Sequence, residues 1–140
     1  MKKVLFICVH NSGRSQMAEA FFNQMVKGKA VAISAGTEPG SGVNPVVVQA
    51  MKEVGIDISQ KMPKLLTQEM IDSSDLAITM GCMDDAKACP AVFVPSEDWG
   101  LTDPHGKPIE EVRPIRDEIK RRVQLLIERL AIEHSKSRLS

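Results

Sequence analysis

Cys8, Arg14 and Ser15 belong to one short stretch, Cys8-Val9-His10-Asn11-Ser12-Gly13-Arg14-Ser15, that separates an apolar run from a helical one. A cysteine thiolate is a nucleophile, a guanidinium can clamp two oxygens of an oxyanion with its planar fork, and a serine hydroxyl can donate to the sulfur. If the stretch is a loop that opens a helix, its successive amides form an inward-facing nest. The helix N-terminus then adds roughly half a positive charge. The same field that holds an anion favours a thiolate at Cys8, so the loop is suited to attack by Cys8 on a bound tetrahedral oxyanion. Gly13 is expected to take a positive φ, and Asn11 is the next most tolerant residue type. The competing reading makes Cys8 a small buried hydrophobe and residues 12–15 a helix cap.

The elements around this loop decide between the two. Residues 3–9 form a short apolar run suited to a strand buried on both faces. Residues 15–26 follow at helical spacing, with Met17, Phe21 and Met25 on one stripe and Ala18, Phe22 and Val26 beside them. Residues 30–35 read as a second strand. Asn44-Pro45 opens a second helix with Asn as cap and Pro at the first helical position, and Val48, Met51 and Val54 are its expected buried stripe. A short helix over 67–73, a strand over 76–80 and a strand over 91–94 come next, followed by a loop over 95–108. The last helix presents Ile115, Ile119, Val123, Leu126, Ile127 and Leu130 on one face, and Pro114 is expected to kink it or to mark its start. Alternating strands and helices call for a parallel sheet with helices on both faces and a site outside the carboxyl ends of the strands. Cys8, Cys82 and Asp103 each fall at or after such an end, which favours the functional reading of the loop.

The length suits a single domain over residues 1–140, and a 43% apolar content is enough for one core. Eighteen basic side chains balance eighteen acidic ones without a block of like charge, so neither nucleic acid nor a lipid surface is an expected partner. The apolar run after Lys2 and Lys3 is too short for a secretory signal, and the chain reads as cytoplasmic. Three cysteines in a reducing compartment are free, ligating or reactive rather than a disulfide framework. Zinc ligation is disfavoured by the six-residue gap between Cys82 and Cys89 and by the lack of an adjacent ligating His. No metal or other cofactor is called for, and His10, His105 and His134 receive no chemical role of their own. Asp103, ahead of Pro104 in a stiffened loop, suits a general acid; its plain alternative is a surface turn.

Cys, five residues, Arg and Ser between the first strand and first helix resemble the phosphate-binding loop of low-molecular-weight protein tyrosine phosphatases and thioredoxin-coupled arsenate reductases. The resemblance continues through Ser34-Ala35-Gly36, Asn44-Pro45 and Asp103-Pro104. It implies an α/β fold with a four-stranded parallel sheet in the order 2-1-3-4. It also implies an oxyanion loop of Val9, His10, Asn11, Ser12, Gly13 and Arg14, with Cys8, Arg14, Ser15 and Asp103 catalytic.

Cys82 and Cys89 bear on which reaction follows, because a phosphatase completes its cycle with water, whereas reduction needs two electrons that a thiol pair supplies by becoming a disulfide. The resemblance implies a relay through a Cys8–Cys82 disulfide and then a Cys82–Cys89 disulfide presented to thioredoxin. Residues 83–88 are expected to form a marginal helix that loops out on oxidation. Arsenate is the implied substrate of a monomeric enzyme, with phosphate or sulfate able to occupy the loop. The absence of Tyr, with only Trp99 near the acid loop, leaves few aromatic walls for a phosphotyrosine ring. Some related reductases brace the loop with potassium; Asn11, Glu19 and Ser34 match three of its ligands, and Lys64 falls at the acidic fourth. Two other readings stay open: a phosphatase whose extra thiols protect Cys8, and a module that binds phosphate without turnover.

Overall fold

The first strand, β1 (Lys3–Cys8), is buried along almost its whole length because both of its faces are covered. Alternation sends Val4, Phe6 and Cys8 into one core cluster and Leu5 and Ile7 into another. The computed structural model describes residues 1–81 and 96–131. Cys82, Cys89, the segment 83–88 and the strand expected over 91–94 lie outside the described residues.

After β1 come α1 (Arg14–Val26), β2 (Val31–Gly36), α2 (Pro45–Lys52), α3 (Gln68–Asp72), β3 (Leu76–Thr79), β4 (Ser96–Asp98) and α4 (Ile109–Arg129). The sheet is parallel throughout, in the order β2-β1-β3-β4, as expected. Its register pairs Cys8 with Gly36 and Ile7 with Thr79, so the ends of β1, β2 and β3 are level at one edge. One face carries α1, α2 and α4, whose Phe21, Phe22, Met51, Ile119 and Val123 pack with Phe6 and Ile78; α3 covers the other through Ile71. Phe6 meets Phe22 edge-on at 6.2 Å and Trp99 at 5.7 Å. Such aromatic pairs contribute roughly 0.5–1.5 kcal/mol beyond the area they bury. No helix among the described residues is long and apolar enough to cross a membrane.

Three expectations are corrected. β4 lies at 96–98, within the stretch read as loop: Ser-Glu-Asp is polar, and an edge strand pairs on one side only, so it leaves no apolar pattern. The buried stripe of α2 is Val47, Ala50 and Met51, whereas Val48 and Val54 are only half-buried. Pro114 does not mark the start of α4, which runs continuously from Ile109. It is the sixth residue of the helix and is exposed, as is Glu110, whose carbonyl loses its helical donor.

An ion-pair cluster ties α4 to the end of α2. Arg113 forks onto Glu53, with Nε–Oε1 3.0 Å and Nη2–Oε2 2.7 Å, while the buried Arg116 donates to Glu53 Oε1 at 2.8 Å and to the Ala50 carbonyl at 2.9 Å. Arg113, and after it Arg116, hold the Glu53 carboxyl down from 4.5 to about 2. Its contribution to stability is therefore complete above pH 4.5 and is lost as the pH falls through about 2. Urea unfolding of Glu53→Gln and the unsubstituted protein should differ at pH 6 and converge at pH 2; an equal difference at both would contradict the linkage.

Candidate active site

The loop after β1 turns back beneath its own cysteine. Cys8 Sγ accepts the Asn11 N–H at 3.1 Å and lies 2.8 Å from Ser15 Oγ; Asn11 Nδ2 donates to that hydroxyl at 2.7 Å. The amide donates to the hydroxyl oxygen and leaves the Ser15 proton free, so the hydroxyl can donate it to the sulfur. Two donors converging on one sulfur suit a thiolate.

Asn11 makes this possible by adopting φ 52, the left-handed region in which Asn is tolerated. Its side chain is pinned from outside the loop, since Oδ1 accepts the Lys64 N–H at 2.9 Å and a Gln16 Nε2 hydrogen bond at 3.1 Å. Gly13, expected at positive φ, instead has φ −145. What it supplies is clearance: a Cβ there would come 2.9 Å from Pro104 Cγ, so the acid-bearing loop closes over it.

Arg14 reaches back over the sheet edge. Its Nη1 donates to the carbonyls of Met80 and Leu101, the latter at 2.8 Å, and its Nη2 lies 3.8 Å from Asp103 Oδ2. Only 9% of the Arg14 side chain is exposed, against 53% for Asp103. Asp103 Oδ1 accepts the His105 N–H at 3.0 Å, which holds the carboxyl over the loop.

Cys8, His10, Ser12, Gly13, Arg14, Asn44, Asp103, Pro104 and His105 line a cavity of about 30 Å³, a scale that suits a small oxyanion. Of the residues expected at the site, Val9, Asn11 and Ser15 are not on this lining. Val9 accepts the Glu38 N–H at 2.8 Å through its carbonyl, and Asn11 and Ser15 are fully buried behind the sulfur. Sequence reasoning missed Asn44 as a wall, because its helix-capping role, an acceptor to Val46 N–H at 2.9 Å, accounted for it already. The Met80 and Leu101 carbonyls were invisible to it, since backbone acceptors carry no residue signature.

The residues compared with a potassium site converge as ion pairs. Glu19, 5% exposed, accepts the Ser34 hydroxyl at 2.9 Å and faces Lys61 Nζ at 3.5 Å and Lys64 Nζ at 3.7 Å. Lys64 thus brings its own positive charge where the resemblance has an acidic ligand.

A parallel α/β sheet with a loop carrying a cysteine and an arginine at its carboxyl edge is a phosphatase-like arrangement, and the sequence model for low molecular weight phosphotyrosine protein phosphatase matches residues 3–136. The chain belongs to that family. Within it, the chain is 44% identical to an arsenate reductase of Staphylococcus aureus over 139 residues, 98% of both proteins. Among solved structures it is similar to a thioredoxin-dependent arsenate reductase of Corynebacterium glutamicum, with TM-score 0.79 and 37% identity, covering 94% of this chain and 62% of that longer one. It is also similar to an arsenate reductase in its phosphate-binding state, with TM-score 0.79 and 37% identity over 95% of this chain and all of the other.

Gly36 gives a direct test of the loop geometry. A Cβ there would sit 2.6 Å from the Val9 carbonyl oxygen and 3.0 Å from Asn11 N, backbone atoms with no freedom to swing aside. Gly36→Ala should weaken phosphate binding by about tenfold or more, measured by calorimetry on a variant with native circular dichroism. Unchanged affinity would contradict the packing described.

Proposed function

We propose that this chain reduces arsenate to arsenite by a relay of three thiols, Cys8, Cys82 and Cys89. The observation that carries the oxyanion half is the Cys8 sulfur, held by two donors, lining the same small cavity as Arg14 and Asp103. The reductive half is supported by the presence of Cys82 and Cys89 in the sequence, by the 44% identity to an arsenate reductase and by similarity to a thioredoxin-dependent one.

In the proposed cycle the loop positions His10, Ser12 and Gly13, which line the cavity, and the Arg14 guanidinium hold arsenate. The Cys8 thiolate, stabilised by Ser15, attacks arsenic. An arsenic–oxygen bond breaks, and Asp103 protonates the departing oxygen, which leaves as water or hydroxide. The Cys82 thiolate then attacks Cys8 Sγ. The sulfur–sulfur bond forms as the sulfur–arsenic bond breaks, and that electron pair leaves with arsenic, reducing it from the pentavalent to the trivalent state. Arsenite departs and a Cys8–Cys82 disulfide remains. Cys89 next attacks Cys82 and releases Cys8 as a thiolate, and the resulting Cys82–Cys89 disulfide is reduced by a dithiol carrier of the thioredoxin type. A cytoplasmic, monomeric single-domain enzyme that needs no cofactor beyond this reductant fits the chemistry, because its resting state requires all three thiols reduced.

The phosphatase reading shares the oxyanion half and gives the two later cysteines a protective role but no part in turnover. Arsenate-dependent NADPH oxidation, in the presence of thioredoxin and thioredoxin reductase, separates the two. Cys82→Ser should abolish it while sparing hydrolysis of an aryl phosphate, and Cys8→Ser should abolish both. Fast ester hydrolysis with no arsenate-driven NADPH consumption would overturn the reductase assignment.

A further inference from the structure

We propose that Asp98 is a positioning residue for Arg14: its carboxylate fixes the peptide group between Met80 and Gly81 so that the Met80 carbonyl meets the guanidinium. This deepens the reading above and rests on Arg14 being the residue that holds the oxyanion.

Asp98 Oδ1 accepts two hydrogen bonds, from the Thr79 hydroxyl at 2.6 Å and from the Gly81 N–H at 2.7 Å. Thr79 and Asp98 are register partners on β3 and β4, so their side chains project from the same face of the sheet. The Gly81 N–H and the Met80 carbonyl are the two ends of one peptide unit, and in a planar trans peptide they point in opposite directions. Holding the N–H on Asp98 therefore aims the carbonyl the other way, at Arg14 Nη1. The preceding peptide is fixed as well, since Met80 N–H donates to the Ile7 carbonyl at 3.0 Å.

The peptide needs this restraint because of the residue that follows it. Gly81 has φ +101, and a Cβ there would lie 3.1 Å from Arg14 Nη1 and 3.1 Å from the Leu101 oxygen. A glycine is thus required for the guanidinium to approach, and glycine is the residue that least resists rotation of its neighbouring peptides. Asp98 supplies from β4 the restraint that a side chain at position 81 would otherwise have given. It does not line the oxyanion cavity, so its influence on the anion passes through Arg14.

The test is protection of Cys8 by phosphate against iodoacetamide, followed by mass spectrometry of the peptide containing Cys8. Asp98→Ala should need about tenfold more phosphate for half-protection, the scale of losing hydrogen bonds to a charged acceptor. Its alkylation rate without phosphate should stay unchanged, because the donors to Cys8 Sγ do not involve Asp98. Asp98→Asn retains an oxygen able to accept both hydrogen bonds and should protect within about twofold of the unsubstituted protein. If the alanine variant does not fold, Asp98→Leu, which removes the acceptor and keeps side-chain volume, takes its place. Unchanged half-protection, or a shift matched by an altered anion-free rate, would overturn the proposal. If Arg14→Ala is protected as well as the unsubstituted protein, the oxyanion reading itself falls and this inference falls with it.

Discussion

The site depends on two hydrogen bonds that end on one sulfur atom. The Asn11 N–H reaches Cys8 Sγ from the middle of the turn that joins β1 to α1 and the Ser15 hydroxyl from the first turn of α1, and neither could do so if the turn were otherwise shaped. The turn holds its shape because Asn11 accepts a left-handed conformation and because its side chain is gripped by Lys64 N–H and Gln16 while it grips Ser15. These contacts link residues more than fifty positions apart to the nucleophile. The sheet register completes the frame by placing Gly36 level with Cys8, where the loop backbone passes close enough that no side chain fits.

Arg14 is held by a different part of the fold. One guanidinium nitrogen is occupied by the carbonyls of Met80, just after β3, and Leu101, in the loop after β4, so the side chain crosses the sheet edge as a strut. Cys8 is thus set by β1 and β2, and Arg14 and Asp103 by β3, β4 and the loop that follows. Side chains fixed in this way before any ligand arrives are the general basis of electrostatic preorganisation.

Much of this was legible in the residues. The all-apolar run of β1 announces a strand covered on both faces, and the spacing of Met17, Phe21 and Met25 gives the buried side of α1 directly. That Cys8, Arg14 and Asp103 would come together could be read from their order, because each falls at or after the carboxyl end of a strand, and all three line one cavity. What escaped was whatever carries no pattern. β4 is three polar residues on an edge, the acceptors that anchor Arg14 are backbone atoms, and Gly13 turned out to matter for the room it leaves Pro104 rather than for a positive φ. Val48 yielded its place in the α2 stripe to Val47 because the face is set by the packing of α4, which the helix's own sequence does not contain.

The central claim is that arsenic keeps the electron pair of its bond to Cys8 when Cys82 attacks the Cys8 sulfur. Its most direct measurement is peptide mapping after a single turnover of arsenate on the Cys89→Ser protein, where the relay should stop one step short. The account predicts a disulfide between Cys8 and Cys82 in near-stoichiometric yield, formed with the release of one arsenite. Arsenite released with Cys8 and Cys82 both free, or a Cys8 disulfide that forms equally without arsenate, would contradict it.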